Sequence, residues 1–94
     1  MSLYVITYDI RARPNHDYQP LYDLLNSWRA GHLQNSVWLA NLNGGAAGVR
    51  DALKRHMQAD DTFCVIEIFP RSDWATMGAR KTGIDWLRSF VAAT

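Results

Sequence analysis

The stretch Leu-Tyr-Val-Ile-Thr-Tyr-Asp-Ile at residues 3–10 decides how the chain is read. Seven of its eight residues are branched, aromatic or Leu, the types that suit a pleated strand. A strand this apolar is normally buried on both faces. The exception, Asp9, stands near the strand's exit, at a border of core and solvent where a metal or proton-transfer site can form.

Working outward, residues 11–16 contain Pro14 and Asn15 and read as a loop. Asp17 is a suitable helix N-cap, and Leu21, Tyr22, Leu25 and Trp28 follow at helical spacing. Pro20 falls in the first turn, where a missing N–H is tolerated, and Gly31 is placed to end the helix. Residues 32–42 form a second extended region centred on Ser36-Val37-Trp38-Leu39-Ala40, whose early part can be a short separate strand. Asn43-Gly44-Gly45 breaks it and opens a helix with the stripe Ala46, Val49, Leu53 and Met57, and with Asp51 set to pair with Arg55. Residues 62–69 are another strand, stopped by Pro70. A helical turn is expected near Trp74, then a C-terminal helix carrying Ile84, Trp86, Leu87, Phe90 and Val91.

With the middle region folded as a hairpin, this order predicts an α+β fold, the ferredoxin-like βαββαβ sandwich with a C-terminal helical tail. We expect one domain over residues 1–94, with a core of about 1–70 and a helical extension of about 71–94. A two-helix layer leaves the other sheet face open to water, so the strands should alternate apolar and polar. They do not: Val5 and Ile6 point to opposite faces, as do Trp38 and Leu39, and Val65 and Ile66. Either the tail or a second copy must cover the second face, and a homodimer is expected.

Composition sets the outer bounds. The net charge is +1, which gives no global basic field, so any nucleic-acid affinity must come from a local patch. The single Cys64 excludes an intramolecular disulfide, and its apolar neighbours predict a buried thiol. No signal-like segment leads the first strand, and no apolar run approaches the ~20 residues a membrane span needs. The expectation is a cytoplasmic protein with no membrane contact.

Two motifs then line up. Tyr8-Asp9-Ile10 closes the first strand, and Gln34-Asn35-Ser36-Val37-Trp38 opens the central one. Together they resemble the small CRISPR-associated spacer-acquisition nuclease superfamily, with its VapD-type toxin and SinR-like orphan relatives. The Ser-Val-Trp-Leu strand and the Asp-Trp-Leu near the C-terminus look most like the SinR-like group. The resemblance implies a homodimer packed sheet against sheet, and in many members a Mg²⁺-dependent endonuclease acting on RNA or DNA. Other members are scaffolds that bridge partner subunits, so an integrase-like or antitoxin protein is an implied partner. The family's metal-site acid maps onto Asp9 and its strand-start serine onto Ser36. The sequence departs from the spacer-acquisition pattern in its sparsely basic residues 11–17, its acid-free strand centre and its Trp-bearing tail.

Each candidate has a plain structural alternative. Metal-assisted phosphodiester cleavage needs hard oxygen ligands and an activated water, and one Asp9 per chain supplies a single carboxylate. Asp9 can equally cap a loop by accepting backbone N–H groups. Arg11 and Arg13 can hold phosphates beside it, or be solvated loop charges. Ser36 lacks a His/Asp partner in sequence, which favours a backbone hydrogen bond over nucleophilic chemistry. His16, His32 and His56 lack metal-ligand spacing, although His16 is near enough to Asp9 in sequence to act as a general base. Glu67, mid-strand among apolar residues, is expected to be buried against an Arg or to lie at a dimer edge. Core and interface packing accounts for the four Trp better than base stacking does. The alternatives to a nuclease are a non-catalytic dimeric module that binds nucleic acid or a protein partner, and a small-ligand regulatory domain.

Overall fold

A computed structural model describes residues 1–10 and 17–91. The order is β1 (Ser2–Asp9), α1 (Gln19–Ser27), β2 (Gly31–Gln34), β3 (Val37–Leu42), α2 (Ala46–Lys54), β4 (Thr62–Ile68) and α3 (Lys81–Phe90). The α+β reading holds. The four strands form one sheet in the order β2-β3-β1-β4, and every neighbouring pair is antiparallel. No helix among the described residues is long and apolar enough to cross a membrane.

The two faces of β1 carry different cores, as its alternation requires. Tyr4, Ile6 and Tyr8 meet Leu21 and Leu25 of α1, Trp38 and Ala40 of β3, and Val49 and Leu53 of α2. Leu3 and Val5 face the other way and join Leu39, Leu33 and Ile68 with Trp86, Leu87 and Val91. Helix α3 therefore packs on the sheet face opposite α1 and α2, lying over β2 and β3. This is the tail covering that the doubly apolar strands left open as one of two answers.

Two glycines permit that docking. A Cβ on Gly31 of β2 would stand 2.5 Å from Trp86 Cβ, and one on Gly83 of α3 would stand 2.8 Å from Leu33 Cβ. Each element presents a glycine where the other presents a side chain. Gly31 thus has a different role from the one expected. Helix α1 ends at Ser27, the left-handed turn falls on Arg29 with φ 56°, and Gly31 already belongs to the strand. Two further contacts tie the start of α3 to the outer side of β2: Arg80 N donates to Leu33 O at 2.9 Å, and Thr82 Oγ1 donates to His32 O at 3.0 Å.

Several local expectations are corrected. Tyr18 occupies the N-cap of α1, while Asp17, the expected cap, stands one position before it and its carboxylate accepts from Gln19 N at 2.9 Å. Asp51 bonds Arg50 at 3.0 Å and not Arg55, because adjacent side chains on an exposed helix face can also reach each other. No helical turn forms near Trp74. Its indole instead packs into the second core and donates to Val91 O at 3.3 Å, which holds the connection extended. The remaining corrections come from β4. Among the described residues it is an edge strand, paired only with β1, so residues that a central strand would bury stay in water. Cys64 is exposed, as are Ile66 and Glu67, and no buried acid needs a partner there.

Candidate functional site

Asp9 is the last residue of β1 and lies opposite Thr62 of β4. It is exposed. By alternation it shares the second sheet face with Val5 and Thr7. Those two pair across the ladder with Ile66 and Cys64. Helix α3 lies over the far strands, so among the described residues no helix covers this β1–β4 quarter, and Ile66 is 57% exposed at its centre.

The other residues singled out in sequence fall apart or out of view. Ser36 sits in the turn between β2 and β3, where its carbonyl accepts from Tyr8 N at 3.0 Å. It contributes through backbone, next to the strand end that carries Asp9. Arg11, Arg13 and His16 lie outside the described residues, as does the loop that Asp9 would cap. Among the described residues no three or more His, Cys, Asp or Glu side chains are grouped to hold a metal. Mg²⁺ in proteins commonly takes one or two carboxylates and keeps several waters. Among the described residues Asp9 is the carboxylate that β1 places at this rim, the lower end of what Mg²⁺ commonly takes, and a second copy would bring a second one.

A different constellation, not anticipated from sequence, lies at the opposite edge of the sheet. A cleft of about 470 Å³ opens between the end of α1, the β2–β3 hairpin and the start of α3. Its floor is an aromatic stack: the His32 imidazole lies flat on the Trp38 indole, with centroids 4.0 Å apart and planes 5° apart. Trp38 is buried and anchored, its Nε1–H donating to Tyr8 OH at 3.1 Å. Tyr8 OH in turn donates to Asn35 O at 3.3 Å. Burial pushes the Tyr8 hydroxyl above its ordinary pKa, against a smaller downward pull from the Trp38 N–H, so it stays a neutral donor in this chain of bonds. On the rim, Arg80 donates to Asn35 Oδ1 at 2.6 Å and Lys81 to Asp85 at 2.7 Å. No sequence signal announced this cleft, since its parts stand more than 40 residues apart, as the span between Asn35 and Arg80 illustrates.

No protein-family model matches the sequence, and no solved structure matches the chain.

Proposed function

We propose that this chain is a ferredoxin-like sandwich that acts in the cytoplasm as a homodimeric, Mg²⁺-dependent endonuclease on RNA or DNA, with a pair of Asp9 carboxylates as its metal site. The element order and the sheet order support the ferredoxin-like assignment. One observation carries the functional reading: Asp9 stands exposed on the one quarter of the second face that α3 leaves uncovered, beside exposed Cys64 and Ile66. A second copy seated on this quarter would cover the apolar side chains and bring two carboxylates to one place. Whole-sheet packing is not available, because α3 occupies the other half. Magnesium bound there would supply charge neutralisation at the phosphate and an activated water.

The test joins mass and activity. Light scattering at micromolar concentration should give the mass of two chains. Purified protein should cleave mixed RNA or DNA with Mg²⁺, lose cleavage in EDTA, and lose it in Asp9→Asn. Cleavage that persists unchanged in Asp9→Asn refutes the assignment.

A second reading rests on the single carboxylate at the rim. On it, the same dimer is a non-catalytic module that binds nucleic acid or bridges an integrase-like or antitoxin protein. Nucleic-acid binding without cleavage under every metal condition selects this reading over the first.

A further inference from the structure

We propose that the cleft between α1, the β2–β3 hairpin and α3 binds a phosphorylated nucleoside, either free or at the end of a strand. The inference is independent of Asp9, which ends the interior strand β1 and does not line the cleft.

Three properties lead to that ligand class. The first is size: about 470 Å³ falls within the range of small-molecule sites. The second is charge. Arg80 and Lys81 both line the cleft, and no Asp or Glu does. The contrast is with the larger cleft beside α2, where Arg50 and Lys54 stand among Asp51 and Asp61. Asp85 holds Lys81 from outside the lining and offsets part of its charge, so Arg80 is the principal anion contact. Its bond to Asn35 uses one of five guanidinium N–H donors and fixes the group, which leaves others for a phosphate. The third is the aromatic floor. Trp38 covers one face of the His32 ring, so the imidazole presents its remaining face as a platform for a planar base. Asn26 adds a side-chain amide at the cleft wall, able to meet a base or ribose. A cation for the phosphate and a flat ring for the base, on one cleft, match the two ends of a nucleotide.

The experiment titrates AMP and inorganic phosphate into the full chain by calorimetry. In parallel, anisotropy follows short single-stranded oligonucleotides, labelled at the 3′ end, with and without a 5′-phosphate. AMP should bind saturably and more tightly than inorganic phosphate. Arg80→Gln, an exposed position whose fold is checked by circular dichroism, should weaken AMP by about tenfold or more, the size of a lost charge-assisted hydrogen bond. His32→Ala should weaken AMP by at least about fivefold, as loss of a stacking platform does, and leave phosphate binding unchanged. His32→Phe should restore AMP binding, and Asp9→Asn should not alter it. Tighter binding of the 5′-phosphorylated oligonucleotide than of AMP identifies a strand end as the ligand; equal or weaker binding identifies the free nucleotide. The proposal is overturned if folded protein binds neither at millimolar concentration, or if binding survives both Arg80→Gln and His32→Ala.

Discussion

Gly83→Ala sets two well-understood effects against each other, and the structure decides which wins. In an exposed helix interior, replacing Gly by Ala stabilises by about 0.8–1.0 kcal/mol, because Gly gives up more backbone entropy on folding. Gly83 is buried against β2, and an added Cβ would sit 2.8 Å from both Cβ and Cδ1 of Leu33. Backbone lies on that side too, so rotating a side chain does not clear the overlap. Helix α3 must move outward, and it carries Trp86, Leu87 and Val91 off Leu3 and Leu39. Overpacking of this kind costs about 1–3 kcal/mol, and more where backbone has to shift. The clash with Leu33 backbone puts the cost in the upper part of that range, about 2–3 kcal/mol, so the net expectation is a loss of about 1–2 kcal/mol, a fall in Tm of roughly 4–16 °C for a domain of this size. Gly48→Ala in α2 is the control. Nothing lies within 4 Å of its added Cβ, so propensity acts alone and Tm should rise by a few degrees. Circular dichroism melts of the two variants should move in opposite directions. If Gly83→Ala matches or exceeds the wild-type Tm, the close α3–β2 contact is wrong.

Two further outcomes follow from single side chains. Cys64 should react fully with a thiol reagent in the native protein, without denaturant, at concentrations where the chain is monomeric; association through the β1–β4 quarter should slow that reaction severalfold. Tyr8→Phe should cost about 1–3 kcal/mol, because it leaves the buried Trp38 N–H without its acceptor. The same variant tests the raised Tyr8 pKa. Folded protein holds that proton more tightly than unfolded chain, so wild-type stability should fall as pH rises past about 10, where the unfolded phenol ionises, and level off above the folded value. The fall should be shallower in Tyr8→Phe, as measured by urea melts at pH 9 to 11.

The strands were legible because their signal is local. Residues 3–9 and 62–68 combine β-branched and aromatic side chains with breakers just beyond, and both form strands within a residue of expectation. The stripes of α1 and α2 were legible for the same reason. What escaped depended on contacts between distant residues. The apolar second face was evident from Val5 and Leu39, yet only the packed structure places α3 over one half and leaves the Asp9 quarter open. Gly31 illustrates the ambiguity of a single residue type: a helix stop and a point of close approach both call for glycine, and only Trp86 tells them apart. Cys64 and Glu67 sit in an apolar run that would be buried in a central strand, and the strand order alone makes them exposed. For the candidate site, Asp9 was visible as an acid at a strand exit. The Arg80–His32–Trp38 cleft was not, since no local pattern links a hairpin to a helix start so far along the chain.

The two outer edges of the sheet are unequal. The β2 edge is occupied, since Leu33 O and His32 O already accept from Arg80 and Thr82. Among the described residues the β4 edge has no strand beyond it, and its run Thr-Phe-Cys-Val-Ile-Glu-Ile contains neither Lys nor Pro to discourage pairing. Edge-to-edge pairing through two free edges does not close, because each added unit exposes a new end. With one free edge, growth stops after a single step. Two chains joined β4 to β4 present only blocked ends, so any association by this route in concentrated solution yields a soluble pair and terminates before a fibre.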